Sequence, residues 1–143
     1  MKKVYNDTIP FKGKKAMTVW PFLFIRNDFH NWTEDDERHE GIHGEQQKEM
    51  LQIGIGLAII LFLTGCGWWS LLALPIYFIW YIVEWLVRIM LMGFTGKWWK
   101  THQAYRDISS EQEAYANEKN ANYLSVRKHF AWMGYIFKTT NIK

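Results

Sequence analysis

The chain has 143 residues, is 49% hydrophobic and 17% aromatic with nine tryptophans, and carries a formal net charge of +3. The length suits one domain, residues 1–143. The charge is too mild to hold nucleic acid, and no Gly-rich phosphate loop or nucleic-acid motif is present, so nucleic acid is excluded as a partner. The single cysteine, Cys66, excludes an intramolecular disulfide and any multi-cysteine metal site. From Leu51 to Met92 only Glu84 and Arg88 carry formal charge, and this segregation reads as a membrane protein.

Residues 1–31 form a polar-basic segment with an extended stretch inside. Met1 to Lys15 has no apolar run of the kind an ordinary signal peptide needs. Ala16 to Ile25 is rich in β-formers and follows a turn at Lys12-Gly13-Lys14, which predicts a short hairpin or small sheet, with Pro21 better suited to an edge than to a central strand. Thr33 is a good N-cap, and Glu34, Asp35 and Asp36 fill the first turn after it, where acids suit the helix dipole. A helix over 33–63 should therefore start in water and enter the membrane. Thr64 to Trp69 reads as a tight turn near a lipid–water boundary, where Trp is favoured. A second membrane helix follows over 70–93, with Pro75 in its first turn. The last third is soluble in character. Ser110 and Glu113 match a capping box for a helix over 109–133, with Arg127 and Lys128 near its end.

The chemistry centres on His39-Glu40-Gly41-Ile42-His43. Histidines at i and i+4 share one helix face, so both imidazoles can reach one zinc ion. Glu40, between them, can activate a water as general base. The competing reading is a solvated, charge-rich helix start. A catalytic zinc takes a third protein ligand, and the candidates are Glu111 and Glu113. Each has a bland alternative: Glu113 as the capping-box residue, Glu111 as a first-turn acid serving the dipole.

An H-E-x-x-H helix, a hydrophobic hairpin and an E-x-x-A helix, in that order, resemble the membrane gluzincin metallopeptidases. That group includes the prenyl-protein (CaaX) proteases and the bacterial heat-shock membrane protease. The size is similar to that of the minigluzincins. The resemblance spans about Arg38 to Tyr123. It implies zinc ligation by His39, His43 and Glu111, and the base role for Glu40. Tyr115 stands where the family has an aspartate that supports a ligand histidine, a departure that bears on activity more than on metal binding. The chain is also similar to small uncharacterised bacterial membrane proteins with an H-E-x-I-H-x-x-Q-Q core.

Glu84 and Arg88 form an i,i+4 pair inside an apolar helix, either as a mutually neutralising pair or with Glu84 as the carboxylate behind a zinc-bound histidine. His102, His129 and Tyr123 are candidates for contact with a substrate oxyanion, against the plainer reading of exposed or packed side chains. Trp68, Trp69, Trp80, Trp85, Trp98 and Trp99 read as core and interface belt. Leu63-Thr64-Gly65-Cys66 looks like a lipoprotein cleavage site, but it lies too deep in the chain, and cleavage there would discard the histidine motif.

The expectation is a mainly α integral-membrane protein. A helical hairpin is inserted between the motif helix and a C-terminal helix, with a small N-terminal β element. Its expected activity is zinc-dependent peptide hydrolysis at the membrane face, with membrane lipid and a peptide or protein substrate as partners. The alternative is a non-catalytic small membrane subunit that binds a larger partner and holds a structural or vestigial metal. Lys2, Lys3, Lys12, Lys14, Lys15 and Arg26 precede the hairpin, Lys97, Lys100 and Arg106 follow it, and its turn has no basic residue. Both termini are therefore expected on the cytoplasmic side of a bacterial-type inner membrane.

Overall fold

A computed structural model describes residues 1–10, 13–29, 31–94, 96 and 101–139. Lys12 of the expected turn, and Lys97, Trp98, Trp99 and Lys100 after the hairpin, lie outside the described residues. Strands β2 (Ala16–Val19) and β3 (Phe22–Arg26) pair antiparallel, with Ala16 opposite Ile25 and Val19 opposite Phe22. Pro21 lies in the turn between them, so its missing N–H takes no bond from the ladder. The sequence pattern did not announce β1 (Lys2–Asn6), which pairs parallel to β3, Val4 opposite Phe24, and makes β3 the central strand. Period-2 alternation along β3 buries Leu23 and Ile25 and turns Phe22 and Phe24 away.

Helix α1 (Glu34–Leu61) starts where the cap predicts. The Asp36 N–H donates to the Thr33 hydroxyl oxygen at 3.1 Å, and the Thr33 N–H donates back to the Asp36 carboxylate at 3.0 Å, a full capping box. The edge strand β2 docks on this helix through the Gln47 amide. That amide donates to the Thr18 carbonyl at 2.7 Å and accepts from the Trp20 N–H at 2.8 Å, as a neighbouring strand would.

After Leu61 the chain turns through Gly65 and Gly67, both at positive φ (95° and 54°), and winds through a 3₁₀ segment, Gly67–Ala73. The second long helix, α2 (Ile76–Phe94), therefore begins later than the expected residue 70. Pro75 sits just ahead of it, where its carbonyl accepts the N–H groups of Phe78 and Ile79. Gly54 is what lets the returning segment touch α1: a Cβ there would lie 2.5 Å from the Ala73 carbonyl oxygen.

The continuous C-terminal helix expected over 109–133 does not form. Helix α3 (Thr101–Arg106) leads into α4 (Ser109–Asn117), which stops after Asn117. The Asn120 side chain then accepts from the Asn122 N–H at 3.1 Å, a local turn that competes with the helix. A short α5 (Tyr123–Val126) and a 3₁₀ turn at Ala131–Tyr135 follow. The break folds the tail back, so that Trp132 packs with Met50 of α1 and Tyr77 of α2.

Burial along α1 runs opposite to that of a water-soluble helix. The polar stretch at its middle is enclosed, His43, Gln46, Gln47 and Glu49 being buried, while none of the acids of its first turn is buried. Its apolar half is open, and beyond it Leu63 is 78% and Trp68 82% exposed. On α2, Ile79, Ile82, Val83, Leu86, Val87, Met90 and Leu91 are exposed while the charged Glu84 and Arg88 are buried. A soluble globule orders these residue types the other way round. Two helical stretches, Glu34–Ala73 and Ile76–Phe94, are long and apolar enough to cross a membrane, and only 11% and 17% of their most apolar windows are buried.

Candidate metal centre

Three donor groups meet where α1 crosses α4. One helical turn separates His39 from His43, and their Nε2 atoms lie 3.2 Å apart. Glu111, in the first turn of α4, places one carboxylate oxygen 3.6 Å from His39 Nε2 and the other 3.5 Å from His43 Nε2. The donor atoms of all three lie within 4.8 Å of one another.

The hydrogen bonds behind the imidazoles fix their tautomers. His39 Nδ1 donates to the Glu118 carboxylate at 2.9 Å. His43 Nδ1 donates to Gln46 Oε1 at 2.9 Å. The amide orientation of Gln46 is itself set, because its Nε2 donates to the Ser110 carbonyl and the Glu113 carboxylate, each at 3.0 Å. Both Nε2 atoms therefore turn lone pairs toward each other and toward Glu111. Of the Glu111 oxygens, Oε1 accepts from the Tyr81 hydroxyl at 2.7 Å, whereas the buried Oε2 has no hydrogen-bond partner. Buried lone pairs converging on one point are costly, and either a proton or a metal cation among them resolves the conflict. Left to protons alone, the site answers the conflict with charge. Burial opposes protonation of His43, but the Glu111 carboxylate beside it outweighs this and raises the imidazole pKa to about 9. Burial likewise opposes ionisation of Glu111, but positive charge on His43 and His39 overcomes it and holds the carboxyl far below the usual carboxylate range. The set thus demands positive charge.

The separations fit a small ion. A tetrahedron with metal–ligand bonds of ~2.05 Å has edges of ~3.3 Å. Two imidazole nitrogens and a carboxylate suit a first-row divalent metal, and do not suit calcium, which takes six to eight oxygens.

A cavity of about 260 Å³ opens beside the three donors. His39, His43 and Glu111 line it together with Glu40, Lys14 and Tyr105. The Thr18 hydroxyl lies 2.7 Å from Glu40 Oε2, so strand β2 holds the carboxylate of Glu40 at the cavity wall.

Glu111 and Glu113 part company here. Glu113 is neither a capping-box residue nor among the converging donors: Ile108 is the N-cap of α4, without a side-chain cap, and Glu113 meets His43 only through Gln46. Glu113 is fully buried and accepts from Arg127 Nε at 2.5 Å and from the Tyr123 hydroxyl at 3.0 Å. Arg127 also donates to Glu49 at 2.6 Å, so one guanidinium serves two buried carboxylates. Arg127→Met should cost about 3–5 kcal/mol, because it leaves both acids uncompensated. Denaturant titration of the purified protein measures it, and a loss under about 1 kcal/mol would mean the network adds little.

Other expectations meet different outcomes. Tyr115 stands edge-on to His39, with ring centroids 4.6 Å apart, and the carboxylate that bonds His39 Nδ1 is that of Glu118. Glu84 does pair with Arg88, at 3.1 Å, but its other contacts go to Ser109 rather than to a histidine. His102 and His129 are exposed, and neither they nor Tyr123 line the cavity. Sequence reasoning missed Glu118, Gln46 and Tyr81. Gln46 was signalled by its i+3 spacing from His43, and Glu118 by lying two helical turns beyond Glu111. Glu118→Ala is expected to weaken metal binding about 10- to 100-fold by freeing His39 to rotate. Competition with a chromophoric chelator reads this, and unchanged affinity would show that Glu118 does not orient the ligand.

Compared with protein-family models, curated proteins and solved structures, the chain matches none.

Proposed function

We propose that the chain is a zinc-dependent, metallopeptidase-like membrane protein that hydrolyses peptide bonds at the membrane face. The observation that carries this reading is the convergence of His39, His43 and the unpartnered Glu111 oxygen on a cavity that Glu40 also lines. Zinc held by this set would supply Lewis acidity, polarising a substrate carbonyl and making water acidic near neutral pH. Glu40 takes the proton from the attacking water and returns it to the leaving amine. Thr18 fixes the orientation of that carboxylate, and Glu118 and Gln46 hold the imidazoles with Nε2 toward the donors. The order of motifs, which resembles the membrane gluzincins, supports the same assignment of roles.

The exposed apolar surfaces of α1 and α2 support insertion in lipid, and the basic residues flanking the apolar hairpin favour both chain ends on the cytoplasmic side of a bacterial-type inner membrane. Tyr115 in place of the family's aspartate favours the competing reading, a non-catalytic small membrane subunit with a structural metal that binds a larger partner. The carboxylate of Glu118 behind His39 offsets that departure, since it gives the imidazole an acidic partner all the same.

Purified in detergent, the protein is expected to cleave membrane-associated peptides, to lose that activity on dialysis against a chelator, and to regain it with zinc. Cleavage that survives chelation removes the metallopeptidase reading. Tightly held metal with no cleavage across a broad peptide library selects the non-catalytic one.

A further inference from the structure

Charges inside an apolar helix are expensive, and those that persist face protein and have partners there. Glu84 and Arg88 are both 8% exposed on a helix whose apolar side chains are largely open. Their mutual bond accounts for only part of their contacts. Glu84 Oε1 accepts the Ser109 N–H at 2.9 Å, and Oε2 accepts the Ser109 hydroxyl at 2.6 Å. Arg88 donates to the carbonyls of Ile136 at 2.5 Å and Lys138 at 3.1 Å. Gln112 of α4 also donates to the Lys138 carbonyl, at 2.9 Å, so the helix and the returning tail are tied at one point.

Helix α4 needs such help. Its N-cap, Ile108, has no side-chain oxygen to offer the first-turn N–H groups. The Glu84 carboxylate provides that acceptor from another helix, and its negative charge suits the positive end of the α4 dipole. Two residues beyond Ser109 stands Glu111, whose side chain must meet two histidines on α1. We infer that Glu84 is a positioning residue for the metal centre: through Ser109 it clamps the start of α4 to α2, and so sets where Glu111 presents its carboxylate, while Arg88 neutralises Glu84 and anchors the tail. This rests on the metal-centre reading above.

Cobalt(II) is the probe, because its visible absorption reports ligand geometry as well as binding. Glu84→Gln removes the charge but leaves Arg88 buried and unpaired, so the double variant Glu84→Leu/Arg88→Leu is made beside it; apolar replacement of both partners of a buried pair preserves folding in many cases. Melting temperature and far-ultraviolet circular dichroism in detergent follow the fold. Both variants are expected to bind cobalt about 10- to 100-fold more weakly than the unmodified chain, with a shifted visible band. For the double variant this should hold at a near-normal melting temperature. A folded double variant with normal affinity and an unchanged band would overturn the inference and leave the metal centre standing. Failure of the unmodified chain to bind cobalt or zinc would instead remove the metal centre, and the role of Glu84 with it.

Discussion

Alanine at both His39 and His43 is expected to strip the protein of metal. Three protein donors are what a catalytic zinc site supplies, and removing two leaves the Glu111 carboxylate alone. The unmodified chain should carry about one zinc after gel filtration, read by elemental analysis. Glu111→Ala should also deplete it, because that carboxylate reaches toward both imidazoles. Glu113→Ala should leave the metal in place and lower stability instead, since its partners are Arg127, Tyr123 and Gln46 rather than the histidines. Stoichiometric zinc in the double-alanine variant would remove the site.

Glu40→Gln should separate metal binding from chemistry. Glutamine is close to isosteric, and an oxygen remains to accept from the Thr18 hydroxyl, so the cavity wall should keep its shape. What disappears is the capacity to take a proton from water. Loss of a general base typically costs 10²- to 10⁴-fold in rate. Hydrolysis should therefore fall by about that factor while zinc content stays unchanged. If the variant cuts as fast as the unmodified chain, Glu40 is not the base.

The start of α1 was legible because its signals are local. Thr33, the acids after it and histidines one turn apart all lie within a short stretch, and helical periodicity alone puts both imidazoles on one face. The apolar hairpin was legible from composition. What escaped the sequence depends on contacts made across the chain. β1 is polar at Lys2 and Lys3, and gains its place only by pairing with β3, twenty positions away. In the sequence Glu111 and Glu113 both stand open as the third ligand; Arg127, fourteen residues beyond Glu113, distinguishes them. The break after Asn117 carried a signal in Asn120 and Asn122, yet favourable helix formers on both sides obscured it. Glu84 looked like one half of a helix pair because its second partner, Ser109, is brought to it only by tertiary folding.

Helix α1 runs unbroken from Glu34 to Leu61, so the histidines and the greasy surface belong to one rigid rod. From His43 to Ile53, where apolar side chains become broadly exposed, the rod rises ~15 Å at 1.5 Å per residue. If lipid covers that surface, the rod acts as a depth gauge. It would hold the proposed metal centre at a set height above the hydrocarbon, adjustable by tilt but not by bending. For the proposed peptidase, selection among substrates would then rest less on side-chain pockets than on reach: a peptide bond close to a membrane anchor would fall at the right height, and the same bond on a long soluble tether would spend little time there.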